Sequence, residues 1–264
     1  MKKGLSKLYV AAVMIFLYAP IAVLIIYSFN SGKGNVWQGF SLKWYGELFR
    51  DRAIMKATAN TLIIALCASV ISTIIGTVAA IGIHNYKGFK KKVMMNVSNI
   101  PIINPEIVTA VSLMFLFVFV GRIFNFEMGE VTVLLAHISF CVPYVLLNIL
   151  PKLRQMDRHI FEAALDLGCN QRQAFFKVVV PEIIPGIVSG FLMAFTFSLD
   201  DYIITFFTRG SSFQTLPILI GSMLRKRVVP TINALSTILF LITLSVLLII
   251  NFKDIKKSKK ENLK

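Results

Sequence analysis

The sequence predicts an all-α, polytopic membrane protein with six transmembrane helices, and three observations lead to this fold class. Hydrophobic residues make up 56% of the 264 residues, whereas charged residues make up 16%. Such proportions are typical of membrane proteins and not of soluble domains. The apolar residues form long runs, most of which reach the roughly 20 residues needed to cross about 30 Å of hydrocarbon. Short basic segments separate these runs, as expected for loops that fix orientation.

Six apolar runs define the predicted spans. In chain order they cover Leu8–Phe29, Thr61–Ile83, Ile107 to about Val120, Val131–Leu150, Ile183–Phe207 and Asn233–Ile250. The first is too long for a signal peptide and no A-x-A-like site follows it, so we expect it to be retained. The third run is the shortest, and the span that contains it is expected to start at or before Ile107. Leu216–Leu224 is too short to cross and is placed in an outer loop. We expect one transmembrane domain over residues 1–264, without an internal repeat.

The distribution of basic residues predicts the orientation. With six spans both termini lie on one side, and 18 of the 28 Lys and Arg residues fall on that side: in the N-terminus, 84–104, 151–182 and the tail. That side is predicted to be cytoplasmic. The net charge of +15 is thereby explained without nucleic acid, and the basic tail 252–264 is interpreted as a solvated segment near anionic lipid. The three scattered cysteines imply neither a disulfide framework nor a metal site.

The loop over 151–182 is too long to be structureless inside a compact protein. The pattern predicts one helix over Arg158–Leu167, ended by Gly168, which tolerates positive φ. Asn170 is predicted to cap a second helix over Gln171–Val179. Pro181 and Pro185 are expected to break the chain before the fifth span.

The same loop contains Glu162-Ala163-Ala164, then Gly168 and Pro181. These residues at this spacing resemble the EAA loop of ABC importer permeases, and we call 151–182 the EAA loop below. In that family the loop forms coupling helices that dock into a cleft on a cytoplasmic ATPase. The resemblance implies a coupling role for residues that match the motif: Glu162, Ala163, Ala164, Asp166, Gly168, Phe175 and Pro181. The alternatives are an ordinary hairpin between spans and, for Glu162, a surface pair with Arg158 at i−4.

Two adjacent carboxylates, Asp200 and Asp201, lie inside the fifth predicted span. An aspartate at mid-membrane costs about 2.5–3.5 kcal/mol even on insertion scales, so each needs a partner. Adjacent helical residues point about 100° apart, so one is expected to line a pathway while the other meets a neighbouring helix or subunit. A cationic substrate would suit the first. A buried ion pair or a local helix break is the alternative.

A closer resemblance covers nearly the whole chain. The phrases FTFSLDDYIITFF, AHISFCVPYV and TLPILIGSMLRKRVVPTINALSTI are similar to the second permease subunit of spermidine/putrescine importers. It implies a type I ABC importer permease fold in a bacterial plasma membrane and a translocation path for polyamine cations. The predicted substrate-pathway residues are Asp200, Asp201, Tyr202, Ser198, Thr196, His137 and Glu106.

Two of these residues have structural interpretations as well. Glu106 follows Asn104 and Pro105, an N-cap and first-turn arrangement in which a carboxylate complements the helix dipole. His137 shares a stripe at i, i+4, i+7 with Cys141 and Tyr144, which suits a packed interhelical face as well as a pathway. Gly76, Ala79, Ala80 and Gly82 predict close helix packing.

The loop after the first span contains a predicted interfacial helix over Leu42–Arg50, capped by Ser41. It carries Trp44, Tyr45, Leu48 and Phe49, and with Trp37 it is expected to hold its rings at headgroup depth. A contact with a binding protein is the alternative.

No G-x-x-x-x-G-K-[ST] motif, catalytic triad or zinc motif occurs, so the chain is predicted to be a transport subunit without cofactors and not an enzyme. The resemblance implies four partners: a homologous permease that completes a heterodimeric pore, two copies of an ATPase that binds ATP and Mg, an extracytoplasmic binding protein and the polyamine. The alternatives are an ion-coupled secondary transporter, a cation channel, and an ABC permease for another cationic or organic solute.

Overall fold

The computed structural model describes residues 2–33, 36–226, 230–241 and 244–245. In these residues the regular structure is helical, with one isolated β-bridge between Asn30 and Phe40. Two compact units are present, one of Ala57–Leu219 and one of Met1–Lys56 with Ile220–Lys264. The predicted all-α class is confirmed for the described residues.

Within the described residues, five helical segments are long and apolar enough to cross a membrane. They are α1 (Lys2–Ser28), α3 (Arg52–Asn85), α5 (Glu106–Phe124), α6 (Glu130–Gln155) and the segment Gln171–Asp200. The first four contain or closely match the first four predicted runs, whereas the last covers the fifth predicted run only as far as Asp200. The sixth run begins in a described helix at Pro230–Leu241, and much of its remainder, like the basic tail, lies outside the described residues.

Helix α4 (Gly88–Ile103) occupies most of the segment that the sequence assigned to a loop. The residue before a proline avoids helical ψ, and Asn104 accordingly has ψ of 139°. Helix α4 therefore ends at Ile103 and α5 begins at Glu106. The predicted N-cap role of Asn104 is wrong: Pro105 holds that position, without a side-chain cap, while Glu106 lies in the first turn as expected.

The larger unit is built on close packing between α6 and α9 (Val180–Asp200). A Cβ added to Gly190 would lie 3.2 Å from Val145 Cα, and one added to Gly186 would lie 2.9 Å from the Asn148 carbonyl oxygen. A Cβ added to Gly76 of α3 would lie 2.7 Å from Val145 Cγ1, so the predicted packing role of Gly76 is confirmed. Gly82 has no neighbour within 4 Å of an added Cβ, so the prediction is wrong there.

This packing predicts that Gly190→Leu destabilises the protein. The added side chain must displace the α6 backbone, and overpacking of this kind costs roughly 1–3 kcal/mol. Gly82→Leu is the matched control, because it adds the same side chain to a helix where space is free. We expect a lower thermal midpoint for purified Gly190→Leu only; equal midpoints for the two variants would contradict the packing interpretation.

The smaller unit contains α2 (Lys43–Arg50), and here the predicted interfacial helix needs correction. Trp44 is buried, and its Nε1 donates a 2.6 Å hydrogen bond to the Asn30 carbonyl oxygen. The Tyr45 hydroxyl is 2.7 Å from Ser28 Oγ. Trp44 and Tyr45 thus tie α2 to the end of α1. Leu48 is buried as well, whereas Phe49 and Trp37 are 63% and 47% exposed, so the prediction is wrong for Trp44 and Leu48. The helix starts after Leu42, and the Ser41 hydroxyl accepts from the Lys43 N–H without being its N-cap.

Candidate functional site

The fifth predicted span is not one continuous helix. Helix α9 ends at Asp200, Asp201 is extended with ψ of 125°, and a short helix α10 (Ile203–Thr208) follows. Helix α10 stays in place because Ile204 and its neighbours pack against α5 and α6. The local helix break, which the sequence left as an alternative, is therefore present at the aspartate pair.

A cavity of about 390 Å³ opens at this break. Four of the predicted pathway residues line it: Glu106, Asp200, Asp201 and Tyr202. The Glu106 carboxyl comes from α5 and is close enough to interact electrostatically with both aspartates. The cavity thus brings together acidic groups from two helices that are far apart in sequence.

Aromatic rings form much of the remaining wall. Tyr144 and Phe197 face each other with ring centroids 4.4 Å apart, and Phe140 lies beside them. Sequence reasoning did not name Phe140 or Phe197 as pathway residues. The sequence signal that points to Phe140 is its i, i+4 spacing from Tyr144 on α6, which places both rings on one face of the helix.

The two aspartates have different environments. Asp200 is exposed, whereas Asp201 is 4% exposed. The Asp201 carboxylate accepts hydrogen bonds from the Thr205 N–H at 2.8 Å, the Thr205 hydroxyl at 2.7 Å and the Ile204 N–H at 3.2 Å. Asp201 is therefore bound within the first turn of α10, and of the two aspartates that line the cavity Asp200 is the exposed one.

His137 is buried beside Asp201 and does not line the cavity. Its Nε2 lies 2.9 Å from Thr205 Oγ1 and 3.3 Å from Asp201 Oδ2, while its Nδ1 lies 2.6 Å from Ser198 Oγ. A neutral ring with the proton on Nε2 donates toward Thr205 and Asp201 and accepts from Ser198. We call His137, Ser198, Asp201 and Thr205 the buried polar cluster.

The other predicted pathway positions are separated from the cavity. Ser198 belongs to the buried polar cluster, and exposed Thr196 donates to the Leu192 carbonyl of its own helix at 2.8 Å. On the α6 stripe, His137 and Cys141 are buried against α9, with Cys141 Sγ 3.5 Å from the Ala194 carbonyl oxygen. Tyr144 alone of the three lines the cavity.

The EAA loop has the predicted helix–glycine–helix form. Helix α7 (Arg158–Asp166) begins after Asp157, whose side chain accepts from the His159 N–H. Gly168 has φ of +87°, and Asn170 forms a reciprocal capping box with Gln173 at the start of α8 (Gln171–Ala174). These turn and capping predictions are confirmed.

The predicted chain break at the prolines is wrong. Helix α8 continues through a π-helical turn at Phe175–Val179 directly into α9, so the chain is helical from Gln171 to Asp200. In this turn the Val180 N–H bonds to the Phe175 carbonyl oxygen. Pro181 comes directly after this π-helical turn, and both Pro181 and Pro185 are carried inside the continuous helix.

The EAA loop exposes a mixed surface. Glu162, Ala163, Asp166 and Gly168 are exposed, as is Pro181, whereas Ala164 is buried and Phe175 packs partly into the core. Two large apolar side chains stand out: Leu167 is 87% exposed and Phe176 is 67% exposed. Glu162 lies 3.6 Å from His159 in an exposed pair, and the side chain of Arg158, its predicted partner, lies outside the described residues.

No group of three or more His, Cys, Asp or Glu side chains in the described part of the chain could hold a metal ion. The candidate sites are thus an acidic, aromatic cavity at a broken apolar helix and a helical loop with exposed apolar side chains. Together with five apolar spans, they define the class of helical membrane transport subunits.

The chain belongs to the family described as binding-protein-dependent transport system inner membrane components, whose model matches residues 72–253. It is 43% identical over 228 residues to the putrescine transport system permease protein PotI of Escherichia coli K12, covering 85% of this chain and 81% of that protein. It is 36% identical over 246 residues to the spermidine/putrescine transport system permease protein PotC of Haemophilus influenzae, covering 93% and 94%.

The fold is similar to that of a chain from a bacterial ABC transporter involved in the import of the acidic polysaccharide alginate. The TM-score is 0.71, the identity is 14%, and 94% of each chain is covered, so this likeness shows the fold alone. The chain is therefore a permease subunit of the ABC importer type and not an enzyme. Importers of this kind combine it with a partner permease, an ATPase and a binding protein.

Proposed function

We propose that this chain is one half of a heterodimeric pore that imports polyamines, spermidine or putrescine, across a bacterial plasma membrane. The observation that carries the substrate is the cavity at the break of the fifth span. Polyamines are flexible alkyl chains with several ammonium groups. A site for them needs anionic groups that are separated from one another and apolar side chains in between that contact the alkyl segments. Asp200 and Glu106 supply the anionic groups, and the rings around Tyr144 supply cation–π and apolar contact.

The proposal includes a sixth span over Asn233–Ile250 and cytoplasmic N- and C-termini. The basic-residue distribution supports this orientation. This orientation places the EAA loop on the cytoplasmic side, where ATP is available. Names of the relatives agree with a polyamine substrate, since PotI and PotC are putrescine and spermidine/putrescine permeases.

The EAA loop is proposed to receive the work of the ATPase. Glu162, Ala163 and Asp166 present a short exposed face on α7, flanked by the exposed side chains of Leu167 and Phe176. Large apolar side chains exposed in a polar loop mark a surface for a protein partner. The partner ATPase is present in two copies and binds ATP and Mg. This chain itself binds neither.

The continuous helix from Gln171 to Asp200 provides a physical link between the two sites. Movement of α8 by the ATPase is carried without an intervening loop to the cavity end of α9. Alternating access would follow from rocking of this rigid element against α6. The EAA loop and the cavity thus lie at opposite ends of one continuous helical segment.

Deletion of this chain is expected to abolish concentrative uptake of radiolabelled putrescine and spermidine, and expression of the wild-type chain is expected to restore it. Uptake of a neutral amino acid in the same strain is the control for membrane energisation. Normal polyamine uptake in the deletion strain, after other polyamine importers have been removed, would contradict the proposed substrate. A loss of uptake for a different cationic solute would transfer the proposal to that solute.

A further inference from the structure

The buried polar cluster contains groups that the acidic cavity alone does not account for. All four of its side chains are at most 4% exposed, and three of them, His137, Ser198 and Thr205, do not line the cavity. They connect three elements of the larger unit: α6, α9 and α10. A satisfied polar network of this kind fixes one arrangement of its helices, because each alternative arrangement leaves a buried polar group without a partner.

We infer that Asp201 is a positioning residue that holds the fifth span broken, with His137 and Thr205 as its supports, so that Asp200 and the C-terminal end of α9 face the substrate. This inference rests on the proposed polyamine pathway and divides the roles of two adjacent aspartates. Asp200 meets the cation, and Asp201 does not.

The geometry gives each aspartate a separate task. Three donors from the first turn of α10 converge on the Asp201 carboxylate, and His137 Nε2 approaches it at 3.3 Å. A carboxylate with this many bonds is already compensated inside the protein. Asp200 is exposed and lies on the wall of the cavity.

The break itself contributes to cation binding. A continuous helix would use the carbonyl groups of residues 197–200 in its own hydrogen bonds. Because α9 ends at Asp200, its last carbonyl groups have no intrahelical partner, and the C-terminal end of the helix dipole lies beside the cavity. Broken spans with helix C-termini at a cation site are a known means of binding cations in membranes.

Substitutions at Asp201 separate positioning from direct binding. Asp201→Asn keeps an acceptor oxygen for the Thr205 N–H but turns an NH2 donor toward the Ile204 N–H, so we expect a partial loss of uptake that is smaller than the loss in Asp200→Asn. Asp201→Leu leaves buried N–H groups of α10 without a partner and should reduce uptake by about tenfold or more. A direct role would instead make Asp201→Asn as damaging as Asp200→Asn, with the same increase in KM for spermidine, and that result would overturn the inference.

Thr205→Val supplies a second test, because Thr205 touches no part of the cavity. It removes the hydroxyl shared by Asp201 and His137 while keeping the shape of the side chain. We expect a raised KM for polyamines with normal amounts of the importer in the membrane. Thr77→Val is the matched control, since the Thr77 hydroxyl donates to the Thr73 carbonyl oxygen of its own helix. An unchanged KM in Thr205→Val would contradict the positioning role.

Thermal stability tests the same inference without a substrate. The purified importer with Asp201→Leu is expected to melt several degrees below wild type, and the importer with Asp200→Leu close to wild type, because Asp201 is buried and bonded to α10 whereas Asp200 is exposed. If the wild-type importer moves no polyamine, the proposed function fails while this order of melting temperatures still tests the cluster. Equal melting temperatures for the two Leu variants would show that Asp201 does not hold the break.

Discussion

Asp200→Asn should reduce polyamine uptake by roughly tenfold to a hundredfold while leaving the amount of assembled importer unchanged. The substitution keeps the size and shape of the side chain and removes its negative charge. A hydrogen bond to a charged group contributes about 1.5–3 kcal/mol, and each 1.4 kcal/mol corresponds to a tenfold change. The loss should be larger for spermidine than for putrescine if the site engages more than one ammonium group.

The control for Asp200→Asn is Glu127→Gln, which neutralises an exposed carboxylate in the loop between α5 and α6, away from the cavity. We expect wild-type uptake in that variant. Initial rates over a range of substrate concentrations distinguish a change in KM from a change in maximal rate. Wild-type kinetics in Asp200→Asn would remove the acidic cavity from the pathway and leave the coupling proposal untouched.

Gly168→Val should uncouple ATP hydrolysis from transport without preventing membrane insertion. Gly168 has φ of +87°, which β-branched residues adopt only at a cost of about 1–2 kcal/mol or more. An added Cβ would meet no neighbour within 4 Å, so the expected defect comes from the backbone turn and not from crowding. The altered turn would change the angle at which α7 and α8 meet the ATPase.

Gly168→Asn is the matched variant, because asparagine tolerates positive φ better than other side chains. Its uptake should lie between those of wild type and Gly168→Val. Binding-protein-stimulated ATP hydrolysis in the reconstituted importer, measured together with uptake, reports the coupling. Uptake equal to wild type in Gly168→Val would count against a role for this turn.

Features that depend on neighbouring residues along the chain were predictable from the sequence. The apolar runs gave the membrane class, and the Asn170 cap and the Gly168 turn were recognisable because capping and positive φ are local properties. The motif around Glu162 marked the EAA loop for the same reason. In each case a few adjacent residues contain the whole physical cause.

Features set by tertiary contacts were not predictable in this way. Pro181 was expected to break the chain, but the π-helical turn before it lets the helix continue into α9. Trp44 was expected at the membrane surface, yet its indole N–H finds a buried carbonyl group instead. Part of the difference between Asp200 and Asp201 depends on His137, which is more than sixty positions away in the chain and approaches Asp201 only in the folded protein.

The most direct test of the account is polyamine accumulation in proteoliposomes that contain this chain, its partner permease and the ATPase, with the binding protein outside. We predict accumulation of spermidine or putrescine against a gradient only when ATP is inside and all subunits are present. Accumulation driven by an ion gradient without the ATPase, or downhill flux through this chain alone, would contradict the account and identify a secondary transporter or a channel.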